Sequence, residues 1–312
     1  SILIIRRFFL FYFLYFYFLI MHIAIEARAL SEKSSGTNTY TAQLIKHLCL
    51  LKSPHQFSLI SASLTNDVFP ANYKNIFIPL NNQLLLPWWL NISVSNLLRK
   101  LHPDVTHFTK PILPHRLTSL AVVTIYDLIP LLFPASQKTL PRYLWPRILA
   151  SAAKRSNHII TISQASKNDL MNIFAIPGKK ITVTPLAVDT SRFYPGKKII
   201  TAQPYILFVC TIEPRKNITS LIDAFGLVAK NIPHRLVIAG RAYKGRQQLM
   251  TAIAHSLYKE RISYLGPVTP EALPDLYRHA DLFIWPSVYE GWGFPPQEAM
   301  ACGTPVQDSN GG

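Results

Sequence analysis

"YILFVCTIEPRKNITSL" occupies residues 205–221 and contains the pattern from which the fold can be worked out. Its first eight residues are mostly apolar and rich in β-branched and aromatic side chains, which predicts a buried strand over 205–212. The loop that follows carries Arg215 and Lys216, and Asn217 then stands where it could cap a helix over about 217–231. A strand, a loop and a helix in this order form the repeating unit of a parallel α/β sheet.

The same unit recurs along the chain on both sides of this stretch. In the second half the further predicted strands are 235–240, 261–266 and 281–287, and the further predicted helices are about 246–258, 270–280 and 295–303. In the first half the predicted strands are 22–27, 57–62, 75–80, 104–109, 121–126, 158–163 and 180–188. The polar stretch 189–204 has two prolines and a glycine and interrupts the alternation as a linker would.

We therefore predict an α/β protein with two doubly wound, Rossmann-like domains that face each other across a cleft. The domain boundaries are predicted as 21–190 and 191–312, which agrees with the usual size of a domain. Residues 1–20 form an apolar extension whose longest uninterrupted run, 8–20, is shorter than the ~20 residues that span a bilayer. Behind Arg6 and Arg7 this run resembles a signal-peptide core or a membrane anchor, but no cleavage site follows, so we expect it to lie outside the fold.

Composition narrows the class of protein and of partner. Hydrophobic residues make up 49% of the chain and charged residues 15%, which excludes a disordered chain. The three cysteines, Cys49, Cys210 and Cys302, are far apart and fit neither a disulfide framework nor a zinc site, which favours a reducing, cytoplasmic compartment.

The charge is concentrated in the first part of the chain. Residues 1–200 hold 22 Lys and Arg against 7 Asp and Glu, whereas residues 201–312 hold 10 against 9. Such a positive field attracts phosphate-bearing partners. The basic residues are scattered and no recognition-helix, zinc-finger or RNP pattern accompanies them, so we expect no nucleic acid partner. The remaining candidate partners are an anionic membrane surface and a phosphorylated ligand. We expect a cytoplasmic protein that is peripheral at the inner face of the membrane.

Candidate functional residues follow the predicted strands, where open α/β sheets bind ligands. Arg215 and Lys216 at a helix start favour a diphosphate, although two solvated surface cations are equally compatible with the spacing. Glu290 follows the strand 281–287 in "VYEGWGF" (288–294), whose two glycines let a backbone approach a ligand closely. Glu298 lies near the start of the helix that begins with "PPQEAMAC". It either accepts hydrogen bonds from ribose hydroxyls or interacts favourably with the dipole at the helix N-terminus.

The first half of the chain offers weaker candidates. Tyr126 and Asp127 end the strand 121–126 in "VVTIYDLIPLLFP", and Asp127 either faces the cleft or caps the next segment. Gly36 lies in "SSGTNTYTAQLIKHL" (34–48), a loop that enters a helix, and one glycine is a weak signal for a phosphate loop.

In this order the segments resemble retaining GT-B glycosyltransferases of the family 4 type, from Met21 to about Val306. The resemblance is carried by "YILFVCTIEPRKN", by "RISYLGPVTPEALPDLYRHADLFIWPSVYEGWGFPPQEAMACGTPV", and more weakly by "SGTNTYTAQL" and "VVTIYDLIPLLFP". It implies that Glu290 holds the donor sugar, with Tyr126 and Asp127 beside it, and that Glu298 holds the nucleotide ribose.

The same resemblance assigns the remaining candidates. Arg215 and Lys216 become diphosphate ligands that stabilise the leaving nucleotide, so no metal and no cofactor are implied. Gly36 becomes the close-approach glycine of the first domain, and Gly293 and Phe294 become backbone contacts near the sugar phosphate. Family members commonly have His at the position of Tyr126 and Gly at that of Cys210, and they continue well beyond the "GTPV" segment, so we expect the second domain to be truncated.

The resemblance predicts a retaining transfer of a hexose from a nucleoside diphosphate sugar to a glycan or lipid-linked acceptor, as in a mannosyltransferase of cell-envelope polysaccharide synthesis. Two alternatives remain open at this point. One is a nucleotide-sugar epimerase of the same architecture, which needs no acceptor. The other is a degenerate, non-catalytic nucleotide-sugar binding module.

Overall fold

A computed structural model describes residues 20–31, 36–63, 69–134, 139–197, 203–242 and 245–309. The prediction for residues 1–20 therefore falls almost entirely outside the described residues. The chain divides into two units, each built around one sheet. The first unit comprises the residues up to Ile125 together with Arg147–Thr161 and Leu170–Thr182. The second comprises Val183 onward and two segments that follow strands of the first sheet, Tyr126–Pro146 and Ile162–Asp169.

The first sheet has seven strands in the order β3-β2-β1-β4-β5-β6-β7. Its strands are β1 (His22–Glu26), β2 (Gln56–Ser61), β3 (Tyr73–Phe77), β4 (Val105–Phe108), β5 (Leu120–Thr124), β6 (His158–Thr161) and β7 (Ile181–Val183). The longer helices associated with this part of the chain are α1 (Gly36–Leu50), α2 (Ser95–Leu101), α3 (Thr139–Arg155) and α4 (Gln164–Phe174), and two short helices lie at Leu86–Trp88 and Ile129–Leu132. Since β2 and β3 extend one side of β1 and β4 to β7 extend the other, the strand order reverses between β1 and β4.

The second sheet has five strands in the order β10-β9-β8-β11-β12, and its strand order reverses between β8 and β11. Its strands are β8 (Tyr205–Val209), β9 (Arg235–Ala239), β10 (Ile262–Gly266), β11 (Leu282–Trp285) and β12 (Val306–Asp308). The helices are α5 (Ile218–Val228), α6 (Arg246–His255), α7 (Leu273–Arg278) and α8 (Phe294–Ala301). Because helices cover the strands, β8 reads as a nearly continuous apolar run, and Leu207 and Phe208 are fully buried.

The two doubly wound parallel sheets confirm the predicted fold class, and each predicted strand has a counterpart. The strand predicted at 75–80 lies at Tyr73–Phe77, because Tyr73 stacks on Phe57 of β2 with ring centroids 4.4 Å apart. The strand predicted at 180–188 ends at Val183, two residues before Pro185. The strand β12 was not predicted, and the domain boundary at residue 190 stays a prediction.

Within the described ranges, no helix combines the length and the apolar character needed to cross a membrane.

A close backbone approach joins β8 to the end of β9. Gly240 has a φ of 122°, and a Cβ built there would lie 1.8 Å from the carbonyl oxygen of Cys210. Only glycine tolerates both the backbone angle and the contact. The Cys210 side chain packs into the apolar core of the second sheet, where burial raises the pKa of its thiol to about 12. Cys210, which stands where family members commonly have glycine, is thus accommodated as a neutral, buried thiol.

A buried polar group on β4 makes the first unit sensitive to acid. The His107 ring is hydrogen-bonded through Nε2 to Oγ1 of Thr124, at 2.8 Å, and Tyr40 lies 3.3 Å from the same hydroxyl. Burial lowers the pKa of His107 to about 4, because the charged imidazolium would lose its hydration.

We predict that the free energy of unfolding falls by about 3 kcal/mol between pH 7 and pH 4 because of His107. In that window the unfolded chain, with a His pKa near 6.5, binds more protons than the folded one, so stability is lost as the pH falls. Urea unfolding followed at several pH values measures the slope. His107→Gln, which cannot ionise, should flatten it, and an equal slope in the parent and the variant would contradict the prediction.

Candidate active site

The loops after β8 and β11 meet at the point where the strand order of the second sheet reverses. The N–H of Val288 donates to the carbonyl oxygen of Arg215 at 3.0 Å, and Nη1 of Arg215 donates to the carbonyl oxygen of Tyr289 at 2.5 Å. Open α/β sheets bind ligands at such a reversal because the loops there diverge to opposite faces of the sheet. The structure therefore brings together Arg215, Lys216 and Glu290, which the sequence had separated by more than seventy residues.

Glu290 bridges both cations. Its Oε1 lies 2.8 Å from Nη1 of Arg215 and 2.5 Å from Nζ of Lys216, and it also accepts a hydrogen bond from the Ser287 hydroxyl. The side chains of Arg215 and Lys216 are only 8% and 10% exposed. The alternative that these are solvated surface cations is therefore wrong.

Both buried cations have neighbours that favour a positive charge. Burial would lower the pKa of Arg215, but the carboxylates of Glu290 and Glu213 outweigh it and hold that pKa above its ordinary value. The Lys216 ammonium also lies 4.4 Å from the centre of the Trp285 ring, which attracts a cation through its π face. One polar atom of the cluster, Nε of Arg215, is buried without a hydrogen-bond partner.

The chain between the two cations and helix α5 has an unusual geometry. Pro214–Lys216 forms a single 3₁₀ turn, and Asn217 then adopts the left-handed conformation with a φ of 54° before α5 begins. Asn217 occupies the N-cap position as predicted, but its side chain accepts from the Ser220 hydroxyl and makes no capping bond to a backbone N–H. The first amides of α5 thus lack a side-chain cap from Asn217.

Asp127 lies beside this cluster, within the second unit. It accepts a hydrogen bond at 2.9 Å from the N–H of Ile129, the first residue of the short helix Ile129–Leu132, although Leu128 and not Asp127 occupies the N-cap position. Burial raises the pKa of Asp127, and the negative charge of Glu290 adds to the rise, while the Ile129 N–H and the charges of Arg215 and Lys216 oppose it. Asp127 therefore combines a local hydrogen bond to the next segment with a position near the cluster.

Gly291 is a residue of the site that the sequence analysis did not single out. A Cβ built on it would lie 2.5 Å from Cβ and 2.9 Å from Oδ2 of Asp127. The backbone after Glu290 therefore touches Asp127 with no room for a side chain. The two glycines in "VYEGWGF" were the available signal, but the sequence could not say what approaches them.

Tyr289 is a second residue that the sequence analysis missed, and it anchors the same loop. Its hydroxyl donates to Asp169, and its ring lies 5.6 Å from that of Phe133. Tyr126, the predicted neighbour of the sugar, accepts a hydrogen bond at its carbonyl oxygen from Ser166 at 2.8 Å.

Glu298 belongs to a different set of contacts. It is the fifth residue of α8 and thus lies beyond the first turn, which corrects the expectation that it stands near the helix start and weakens the helix-dipole alternative. Tyr277, which is fully buried, donates to Oε2 of Glu298 at 2.8 Å. Burial raises the pKa of Glu298, against the opposing effects of this hydrogen bond and of the charge on Arg192.

The three remaining candidates stand at helix starts. Gly293 precedes α8 and Phe294 is its first residue, while Gly36 is the first residue of α1, with open space around the position of a Cβ. Their predicted contacts with a ligand stay predictions. Among the described residues, no group of three or more His, Cys, Asp or Glu side chains is arranged to hold a metal ion.

The sequence matches two protein families that together span residues 34–312. Residues 34–192 match Glycosyltransferase Family 4, and residues 191–312 match Glycosyl transferases group 1. A curated relative, O-antigen chain mannosyltransferase B from Escherichia coli, is 28% identical over 325 aligned residues, which cover 93% of this chain and 82% of the relative.

Two solved structures share the fold. Sucrose-phosphate synthase from Thermosynechococcus elongatus superposes with a TM-score of 0.71 at 18% identity, covering 94% of this chain and 82% of that one. HepE from Anabaena, solved with UDP and glucose, superposes with a TM-score of 0.63 at 17% identity, covering 92% and 80%. At this level of identity the likeness shows the fold alone, which is that of GT-B glycosyltransferases.

We predict that Gly291→Ala lowers the free energy of unfolding by about 1–3 kcal/mol, the usual cost of an overpacked contact. The new Cβ would collide with Asp127, so the loop that carries Glu290 must shift. Gly226→Ala is the matched control, because a Cβ there meets nothing within 4 Å and Gly226 lies inside α5, where alanine is the better helix former. Urea denaturation measures both variants, and equal stability of the two would contradict the contact with Asp127.

Proposed function

This chain belongs to glycosyltransferase family 4, and we propose that it transfers a hexose, with retention of configuration, from a nucleoside diphosphate sugar to a glycan or lipid-linked acceptor. The similarity to an O-antigen chain mannosyltransferase supports mannose as the hexose and cell-envelope polysaccharide synthesis as the process. The complex of HepE with UDP and glucose supports a nucleotide-linked donor.

The observation that carries the proposal is the buried cluster of Arg215, Lys216 and Glu290 after β8 and β11. Without a ligand, the two cations are balanced by two carboxylates, since Glu213 also lies 2.7 Å from Arg215. A diphosphate is a stronger acceptor for both cations than a single carboxylate, because it offers several charged oxygens at once. In our proposal the diphosphate replaces Glu290 as the partner of Arg215 and Lys216.

This exchange gives Glu290 its role. Once released from the cations, its carboxylate accepts hydrogen bonds from the hydroxyls of the donor sugar, next to Asp127 and the Tyr126 backbone. The uncapped amides at the start of α5 provide further donors for phosphate oxygens. Glu298, held by Tyr277, accepts from the ribose of the same nucleotide.

The reaction places negative charge on the departing diphosphate. Arg215 and Lys216 already lie in a buried site, where the neighbouring carboxylates hold the pKa of Arg215 above its ordinary value, so the two cations stabilise that charge without large rearrangement. We propose that these two cations take the part that a metal ion has in other transferases, and that no cofactor is required. The Asp127 carboxylate, whose pKa is raised, then lies near the reacting sugar.

The proposal is tested by incubating the protein with nucleoside diphosphate sugars and isolated polysaccharide precursors. Release of nucleoside diphosphate only when an acceptor is present, with the product anomer determined by NMR, supports a retaining transferase. Consumption of the donor without an acceptor would favour an epimerase. Donor binding without any turnover would favour a binding module.

We predict that Lys216→Ala weakens nucleoside diphosphate binding by about 1–3 kcal/mol, the usual cost of losing a charge-assisted hydrogen bond. Lys216→Met separates charge from packing, because methionine keeps the contact with the Trp285 ring but carries no charge. The exposed Lys259 provides the matched control as Lys259→Ala. Calorimetry compares the affinities of the three variants with that of the parent. An unchanged affinity in both Lys216 variants would contradict diphosphate binding at this cluster.

Substitutions of Glu290 and Glu298 should affect different kinetic parameters. We expect Glu298→Ala to raise the dissociation constant of the donor at least tenfold, and Glu290→Ala to lower kcat more than it weakens binding, since only Glu290 is assigned to the reacting sugar. Glu260→Ala changes an exposed carboxylate and serves as the control. Steady-state kinetics with donor titration separates the effects, and wild-type kinetics in both variants would reject the assignments.

A further inference from the structure

A helical segment of the first unit, residues 83–101, exposes a row of large apolar side chains. It runs as Gln83–Leu85, Leu86–Trp88, Trp89–Val94 and Ser95–Leu101, with changes of helix type but no break. The exposed members are Leu84 (85%), Leu85 (54%), Trp88 (58%) and Ile92 (41%), which we call the apolar stripe. Leu84, Trp88 and Ile92 are spaced by four residues, which is about one helical turn.

The stripe stands on a firmly held support. On the same segment Trp89, Leu90, Val94 and Leu98 are buried. The indole N–H of Trp89 donates to the carbonyl oxygen of Ile78 at 3.1 Å, just after β3, and Asn91 accepts from the N–H of His115 at 2.6 Å. The segment therefore has one apolar face that packs against the protein and a second one that faces solvent.

The charge pattern around the stripe is also distinctive. No charged residue occurs from Asn75 to Leu98, and the segment then ends in two exposed cations, Arg99 and Lys100. A single exposed leucine is ordinary on a protein surface, but four large exposed apolar side chains, three of them at helical spacing, on a segment that ends in two cations are typical of a surface that docks.

We propose that the apolar stripe, with Arg99 and Lys100, docks the protein on an anionic lipid bilayer. The leucines and Ile92 enter the boundary between headgroups and acyl chains, the Trp88 indole lies at that boundary, where its ring and N–H are both satisfied, and the two cations contact lipid phosphates. A bilayer fits better than a second copy of this chain, because residues 1–200 carry an excess of 15 positive charges that two copies would bring together.

This inference goes beyond the proposed transferase activity and is tested without donor or acceptor. The full chain is mixed with vesicles of neutral phosphatidylcholine, or of phosphatidylcholine with 30% phosphatidylglycerol, and sedimented at low and high salt. The triple variant Leu84→Ser, Leu85→Ser, Trp88→Ser is compared with the parent. Leu257→Ser is the control, since Leu257, in the second unit, is more exposed than any residue of the stripe.

We expect the parent to bind the anionic vesicles, less so at high salt. The triple variant should bind at least tenfold more weakly, and Leu257→Ser as the parent does. Arg99→Gln with Lys100→Gln should remove most of the preference for anionic lipid.

A local readout keeps the test decisive even if another part of the chain also binds lipid. Vesicles with brominated acyl chains should quench tryptophan fluorescence in the parent and much less in Trp88→Phe, a change that leaves the fold intact because this side chain is exposed. Equal quenching of the parent and Trp88→Phe would overturn the proposal, whether or not the triple variant sediments like the parent. Two further results would also overturn the proposal. One is a parent that forms a dimer in solution, while the triple variant is a monomer. The other is a Trp88 fluorescence emission that changes when residues 1–20 are removed but not when vesicles are added.

Discussion

The ion pairs of Glu290 with Arg215 and Lys216 are the interaction on which the rest of the candidate site depends. They connect the loops that follow β8 and β11, and they do so where little water is present to screen or replace them. Removing Glu290 would leave the buried Lys216 ammonium without its carboxylate, which costs several kcal/mol, whereas Arg215 would keep Glu213 as a partner. A buried cluster of this kind is poor evidence for stability, because well-packed apolar residues would serve at least as well. We propose that its charges serve a ligand that exchanges with Glu290.

Backbone approach is the second constraint, and glycine supplies it in two places. Gly240 lets the end of β9 pass the carbonyl of Cys210, and Gly291 lets the loop after Glu290 touch Asp127. Tyr289 adds to the same effect by packing on Phe133 and donating to Asp169. The loop that carries Glu290 is thus held by a close backbone approach, a ring contact and a hydrogen bond to a carboxylate. Such a support holds reactive groups in place without competing for the ligand.

Much of the fold was predictable because a parallel sheet buried on both faces requires continuous apolar strands, and these are visible in a single sequence. Strand ends were less predictable. Pairing with β2 and the stacking of Tyr73 on Phe57 decided where β3 begins, and β12 is too short and polar to be recognised by itself. Within the site, Glu290, Arg215 and Lys216 were found from their residue types and positions after strands. Tyr289, Gly291 and Tyr277 were missed because their roles depend on partners distant in the sequence.

The sequence by itself determined the alternation of strands and helices, the two doubly wound sheets, the uneven charge and the identity of the charged residues after β8 and β11, because each of these depends on residue type at short range. Only the tertiary structure decided that Arg215 and Lys216 are buried cations rather than solvated ones, that Glu298 pairs with Tyr277 apart from Glu290, and that Leu84 and Trp88 face solvent while Trp89 packs inside. The physical reason is that burial, and with it the strength of a charge or the cost of an exposed apolar side chain, is set by which segments pack together.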